Sequence, residues 1–141
     1  MCPATRWRDQ IVIEFHDVVF DCRHSASLAR FWESVLDGYT VALYDEQELG
    51  RLRALGVDDP EDDPCVLLDA PNGKPRIWFQ RVPEAKTVKN RVHLDVASTD
   101  FDADVAKLVN LGARRVDTAS TEAGLAVLED PEGNEFCVIQ R

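Results

Sequence analysis

The first half of the chain opens with a β-rich run and continues with a helical pattern. Residues 11–22 (IVIEFHDVVFDC) are rich in β-branched and aromatic side chains, which predicts a strand or a bent pair of strands. From Ser25, a suitable helix N-cap, apolar residues recur at spacings of three and four, which predicts an amphipathic helix ending near Gly38. The remaining apolar runs of this half predict three further strands, at 39–44, 65–68 and 76–82.

The second half repeats this order of patterns. Residues 91–96 (RVHLDV) alternate polar and apolar side chains, the period of a strand with one buried face. Thr99 is expected to cap a helix that runs through Leu111 and stops at Gly112. The buried stripe of that helix is predicted to be Phe101, Val105, Leu108, Val109 and Leu111. Three more strands are predicted at 114–116, 125–128 and 135–140.

The two halves therefore share one element order, a strand, a helix and three strands. Their turns, APNG at 70–73 and DPEG at 130–133, lie sixty residues apart, and each precedes an apolar strand that ends in Gln-Arg. A repeated element order is the signature of a duplicated unit. The sequence thus predicts a single α+β domain over 1–141, made of two βαβββ modules at 11–82 and 91–141.

Two polar stretches interrupt these modules. Residues 83–90 (PEAKTVKN) carry three charges behind a leading proline, which predicts a linker between the modules. Residues 45–64 are acidic and rich in turn-forming residues, although QELGRLRALG within them has the composition of a short helix. An insertion of this length is typically either a lid over a binding site or disordered.

Composition excludes several classes of function. Lys and Arg number 16 against 26 Asp and Glu, a net charge of −10, whereas a nucleic-acid surface needs clustered Lys and Arg. No apolar run approaches the roughly 18 residues of a membrane span. The four cysteines form no CxxC pair, which argues against zinc-knuckle and thioredoxin motifs. Residues 1–11 have no secretory pattern, so we expect a cytoplasmic protein with reduced thiols.

Three motifs add a family resemblance to this pattern. The first helix contains F-W-x-x-x-L, the second is followed by L-G-A, and D-P-E-G-N-E-F precedes the last strand. A βαβββ pair with these motifs resembles the vicinal oxygen chelate superfamily, which contains glyoxalases, bleomycin-resistance proteins and extradiol dioxygenases. Residues 79–84 and 86–95 look more narrowly like its glyoxalase-like domain branch. The resemblance implies that the eight strands curl into a half-open barrel with a binding site in its concave cup.

The resemblance also implies a set of candidate metal ligands. Metal-dependent members hold a divalent ion with four side chains, one each from the first and last strands of both modules. Carried over position by position, the ligands here would be Asp17, Gln80, His93 and Cys137. Cys137 stands where a glutamate is expected, and Asp17 stands where a histidine is usual. Zinc accepts such a mixture of donors, and nickel, manganese or iron are the other ions the resemblance implies.

Two of the polar residues have catalytic as well as structural interpretations. His93 either binds a metal, acts as a general base or lines the pocket, or it is a strand histidine that Asp95 or Arg91 satisfies. Glu135 either reaches into the cup as a base or serves the turn at 131–134. Cysteine at position 137 is likewise either a thiolate ligand or nucleophile, or a small buried apolar residue.

Two tryptophans and one arginine are candidates for contact with a ligand or cofactor. Trp32 and Trp78 either belong to the core or offer ring faces on which a flat molecule stacks. Arg91 forms a basic patch with Lys86 and Lys89, which either attracts an anionic substrate or faces water.

Three functional classes are consistent with these features. The first is a metal-dependent lyase, isomerase or dioxygenase acting on vicinal oxygens. The second is a metal-free protein that sequesters an aromatic or cationic compound, as bleomycin-resistance proteins do. The third is a metal-free enzyme that uses His93 or Glu135 for proton transfer. In each class a small organic molecule binds in the cup between the modules, and the resemblance also implies a homodimer.

Overall fold

The framework consists of two four-stranded sheets, one from each half of the chain. The computed structural model describes residues 13–116 and 122–141. The first half contains β1 (Asp17–Cys22), α1 (Ser25–Val35), β2 (Thr40–Val41), α2 (Glu46–Ala54), a 3₁₀ turn (Pro60–Asp62), β3 (Cys65–Asp69) and β4 (Arg76–Arg81). The second half contains β5 (Leu94–Ser98), α3 (Phe101–Asn110), β6 (Arg114–Arg115), β7 (Leu125–Glu129) and β8 (Glu135–Gln140).

Both sheets have the same topology. The strand orders are β1-β4-β3-β2 and β5-β8-β7-β6, and in each sheet the first strand pairs in parallel with the last. The other neighbours pair antiparallel. The prediction of an α+β fold with two βαβββ modules is therefore confirmed, and the two sheets remain unclosed, as in a half-open barrel.

One face of each sheet contributes to a core that the modules share. Alternate side chains along β4 and β8 are buried, with Phe79 at 0% and Phe136 at 1% exposure. The ring of Trp32 on α1 lies 5.0 Å from the ring of Phe136, so this helix packs against residues of the second module as well as its own sheet. Buried residues of both halves consequently form one hydrophobic cluster. The opposite face of each sheet is only partly covered.

The duplication extends to single contacts between a glycine and a proline. Gly38 follows α1 with a φ of 77°, and a methyl group there would lie 3.2 Å from the ring of Pro71 in the following hairpin turn. Gly112 follows α3 with a φ of 114°, and a methyl group there would lie 3.4 Å from Pro131. The glycines predicted to stop the helices thus also admit the turn proline of their own module.

The helix starts differ from the sequence-based expectation. His24, not Ser25, caps α1, because its Nδ1 accepts the Ser27 N–H at 3.2 Å. Ser25 instead donates its hydroxyl to the Pro64 carbonyl at 3.0 Å. In α3 the N-cap is Asp100 and not Thr99.

The second module also differs in its strand and in its helix face. The strand predicted at 91–96 begins only at Leu94, so His93 precedes it. The backbone bends at Arg91 and Val92, and the Asn90 N–H just before them donates to the side chain of Glu135 on β8. Val109 and Leu111 are 45% and 48% exposed, so the buried stripe of α3 is narrower than predicted.

The part of the first predicted strand at 11–12 lies outside the described residues, and regular pairing begins at Asp17. Within the described ranges, none of the helices combines the length and the apolar character needed to cross a bilayer.

Candidate functional site

A cavity of about 600 Å³ lies between the modules, where β1, β5 and the connector before β5 meet. Both β1 and β5 are edge strands of their sheets, and they leave this space between them. The apolar wall comes from both halves of the chain: Val18, Phe20, Trp32, Leu94 and Phe136. The rim is polar: Asp21, Glu84, Lys86, Arg91, His93 and Glu135.

Edge-to-face contacts between aromatic rings hold the apolar wall in place. Trp32 meets Phe20 edge-on at 5.5 Å and Phe136 at 5.0 Å between ring centroids. Trp32 is 1% exposed, so it is a core residue whose ring also borders the cavity. Such interlocked rings give a rigid wall, because each ring is held by its neighbours on two sides.

Glu135 ties the connector to β8. Its carboxylate accepts the Asn90 N–H at 3.0 Å and the Lys86 ammonium at 3.2 Å. Burial acts to raise the pKa of Glu135, but hydrogen bonds from the Asn90 N–H, its own N–H and Lys86 outweigh it, so the pKa is lowered. Glu135 therefore serves the connector, and not the 131–134 turn that the sequence offered as its structural role.

His93 stands at the mouth of the cavity. Its Nε2 lies 3.3 Å from Oδ1 of Asp95, and its side chain is 42% exposed. The carboxylate partner that the sequence suggested is thus present, while the imidazole also borders the cavity. Arg91 lies on the same rim, and among the described residues it forms no ion pair.

The first-module candidate Asp17 is fully engaged within its own sheet. Arg76 donates to its two carboxylate oxygens at 3.1 and 2.8 Å, and the Trp78 indole donates at 3.0 Å. The Arg76 guanidinium holds the pKa of Asp17 below its usual range, against the opposing effect of burial. An adjacent fixed cation opposes a divalent ion at this carboxylate.

Strand register decides which residues of the two modules correspond. Trp78 lies opposite Val19 in the β1–β4 pair, and Cys137 lies opposite Asp95 in the β5–β8 pair. Val19 lies two residues after the candidate Asp17, and Asp95 lies two residues after the candidate His93. Trp78 therefore occupies in the first module the place that Cys137 occupies in the second. Gln80 lies two residues beyond Trp78 on β4, on the same side of the strand, and is exposed.

The structure brings His93 and Cys137 together and adds a residue that the sequence reasoning did not include as a ligand. One donor atom each of His93, Asp95 and Cys137 lies within 4.8 Å of the others, and Asp17 is not in this group. Burial, and then the charge of Asp95, raise the pKa of the Cys137 thiol. Asp95 could have been found from the two-residue spacing that puts it on the same polar face as His93.

The donor chemistry of this group fits a thiophilic divalent ion. Imidazole nitrogen, carboxylate oxygen and cysteine sulfur are all zinc ligands, whereas manganese prefers oxygen. Among the described residues, Asp17 lies outside this group, so the donor atoms of Asp17, His93 and Cys137 are not all within 4.8 Å of one another.

The insert, residues 45–64, packs against the partly covered face of the first sheet. The Asp63 side chain, 1% exposed, accepts the Tyr44 hydroxyl at 2.9 Å and is ion-paired with Arg51 at 3.1 Å. It also accepts the Cys65 N–H at 2.9 Å. The insert thereby forms one wall of a second recess of about 370 Å³. Trp78 lines this recess and not the cavity between the modules.

The paired βαβββ modules and their unclosed sheets define the fold of the vicinal oxygen chelate superfamily, as the sequence resemblance implied. Residues 17–139 match the sequence profile of the glyoxalase-like domain. The chain belongs to this family.

Several solved structures share this fold. A glyoxalase/bleomycin resistance protein/dioxygenase family enzyme from Burkholderia phytofirmans PsJN superposes with a TM-score of 0.60 at 20% identity, covering 91% of this chain and 98% of that one. A glyoxalase family protein from Bacillus cereus gives 0.59 at 16%, covering 94% and 97%. The fosfomycin resistance protein FosX from Mesorhizobium loti gives 0.61 at 13%, covering 92% of each chain. No protein of curated function matches the sequence significantly.

Proposed function

We propose that this glyoxalase-like protein binds a small organic molecule in the cavity between its modules. The observation that carries this proposal is a space of about 600 Å³ whose apolar wall and polar rim come from both halves of the chain. Small-molecule sites commonly occupy roughly 300–1,000 Å³ and combine an apolar lining with a few polar groups.

The lining favours an apolar or aromatic body with one or two hydrogen-bonding groups. Phe20, Trp32 and Phe136 offer rigid ring surfaces on one side. The rim carries three carboxylates (Asp21, Glu84, Glu135) and two cations (Lys86, Arg91), so its charge is nearly balanced. Such a rim favours an uncharged ligand over a strongly charged one, because neither a cation nor an anion gains much electrostatic energy there.

His93 is the best candidate for proton transfer if the bound molecule is turned over. It borders the cavity, imidazole is the side chain that most often serves in general acid–base catalysis, and the Asp95 carboxylate lies 3.3 Å from its Nε2. Glu135 is a weaker base because its lowered pKa and its bonds to the connector keep it as a charged anchor. The alternative function is sequestration of the ligand without turnover, which requires the cavity but no proton transfer by His93.

A matched pair of connector valines tests the binding site. Val92 and Val88 are 79% and 71% exposed, but only Val92 lines the cavity. A ligand found by thermal-shift screening of small organic compounds should lose at least about tenfold in affinity in Val92→Trp, which fills the mouth, and none in Val88→Trp. Equal affinities in both variants would place the ligand elsewhere.

His93→Asn separates the enzyme from the binding protein. In an enzyme, this variant keeps most of the ligand affinity and loses turnover. In a sequestering protein, the wild type itself returns the ligand unchanged after prolonged incubation, as mass spectrometry would show.

We also propose a homodimer located in the cytoplasm. Val19 and Ile139, on the partly covered sheet faces, are 54% and 38% exposed, which a second copy would cover. Sedimentation equilibrium at micromolar concentration tests the assembly: a monomer at all concentrations would contradict it.

A further inference from the structure

We propose that the connector, residues 83–92, is a movable wall of the cavity, and that Glu135 is the latch that holds this wall closed. Its role in admitting a small molecule rests on the proposed binding function, whereas the motion itself does not. The sequence offered the insert at 45–64 as a lid, but among the described residues that line the cavity none comes from the insert.

The connector forms one side of the cavity along most of its length. Residues 84–86 line the cavity before the exposed stretch 87–89, and residues 90–92 line it again afterwards. The other lining residues come chiefly from β1, α1, β5 and β8, which the two sheets and the shared core hold in place. The connector has no regular secondary structure. It is therefore the part of the wall that can move without breaking a sheet.

The connector is fixed at both ends. At its start the Val82 N–H donates to the Cys22 carbonyl at 2.9 Å. Beyond its end, Leu94 begins β5 and pairs with Phe136 on β8. A segment of about ten residues between two fixed points can swing away from the cavity while its ends keep their places in the sheets.

Glu135 makes the hydrogen bonds that hold the middle of the connector. Its carboxylate accepts from the Lys86 ammonium at 3.2 Å and from the Asn90 N–H at 3.0 Å, on either side of the exposed stretch. Within the described part of the chain, every hydrogen bond that joins 83–92 to the rest of the protein ends on Glu135. Val88 and Val92 are mostly exposed, so burial of apolar surface holds the segment only weakly.

The two bonds of the latch differ in strength. The side chains of Glu135 and Lys86 are 14% and 28% exposed, and an ion pair in such partial contact with water contributes little. A hydrogen bond from an N–H group to a carboxylate contributes more. We therefore expect loss of the Lys86 ammonium to raise the open population about two- to fivefold, and loss of the Glu135 carboxylate to raise it at least about tenfold.

Alkylation of a thiol in the cavity measures this opening without any ligand. Val18 lines the cavity from β1 and is partly buried, so Val18→Cys puts a thiol on the cavity wall. Its reaction with N-ethylmaleimide, followed by peptide mass spectrometry, should become about two- to fivefold faster with Lys86→Met and at least about tenfold faster with Glu135→Ala. Native Cys65, partly buried at the second recess, is the internal control, and its labelling rate should stay unchanged.

Lys89→Met is the matched control for Lys86→Met. Lys89 belongs to the same connector and carries the same charge, but it is exposed and does not line the cavity. Its substitution should therefore leave the labelling of Val18→Cys unchanged. Hydrogen–deuterium exchange of residues 83–92 in chains that keep Val18 gives a second measurement that needs no change in the cavity. Exchange should be faster in Lys86→Met and Glu135→Ala than in the wild type, and unchanged in Lys89→Met.

Two results would overturn the proposal. Equal labelling and equal exchange in Lys86→Met and Lys89→Met would show that the contact with Glu135 does not hold the connector. A rise in Cys65 labelling as large as the rise in the cavity would show that the variants loosen the whole protein. Neither result bears on the Val92→Trp comparison, so failure of the latch is distinguishable from failure of the proposed binding function.

Discussion

The indole N–H of Trp32 donates a hydrogen bond of 3.1 Å to the buried carboxylate of Asp130, which joins the helix of one module to the turn of the other. Asp130 also accepts the N–H groups of Glu132 and Asn134 and the Asn134 side-chain amide. The Glu132 carboxylate in turn accepts backbone N–H groups just before α1. The DPEGN turn thus organises its own backbone and fastens the two modules together.

Asp130→Asn should therefore destabilise the protein by about 1–3 kcal/mol, because an amide cannot accept every hydrogen bond that the carboxylate accepts. Urea unfolding followed by tryptophan fluorescence measures the change. Asp58→Asn, at an exposed position, is the matched control and should shift the free energy of unfolding by less than about 0.5 kcal/mol. Equal effects in the two variants would refute the role of this turn.

Gly38→Ala and Gly50→Ala should have opposite effects on stability. Gly38 has a φ of 77° and Pro71 at contact distance, so alanine there should cost about 1–3 kcal/mol. Gly50 lies inside α2 with nothing within 4 Å of the added methyl group, so alanine should stabilise by up to about 1 kcal/mol. Thermal and urea unfolding of both variants measure the difference, and a neutral Gly38→Ala would contradict the close packing.

Acid should weaken the attachment of the connector through Glu135. Its pKa in the folded state is lowered from the ordinary value of 4.5, so its contribution to stability is fully present above pH 4.5 and is lost as the pH falls through the folded pKa. Glu135→Gln should show a shallower loss of unfolding free energy between neutral and acidic pH than the wild type. Parallel pH profiles of the two proteins would show that the carboxylate makes no such contribution.

Tyr44→Phe should loosen the insert as well as lower stability. Removing the hydroxyl leaves the buried Asp63 with one hydrogen bond fewer, which should cost about 1 kcal/mol and expose 45–64 to limited proteolysis. Tyr39→Phe removes a comparable hydroxyl bond, 2.9 Å from the Pro75 carbonyl, and serves as the control. It should lower stability without faster cleavage of the insert. Equal cleavage rates in both variants would contradict the anchoring role of Asp63.

The candidate site was only partly accessible from the sequence. The candidates His93 and Glu135 do border the cavity, and His93 also approaches Cys137. The partner of Glu135 was missed because Asn90 reaches it across forty-five positions of sequence. Trp78 and Trp32 are equally good candidates by residue type, yet they lie on different faces of the first sheet and line different spaces.

By itself, the sequence determined the duplicated α+β architecture, because strand alternation, helical periodicity and turn residues are local signals that recur in both halves. It also determined that His93 and Asp95 share a side, since strand parity follows from spacing alone. Only the tertiary structure decided which polar groups meet. The parallel register of β5 with β8 brings Cys137 to Asp95, and the packing of α1 against Phe136 brings the two modules together around the cavity. Those contacts join residues distant in sequence, and no local pattern encodes their register.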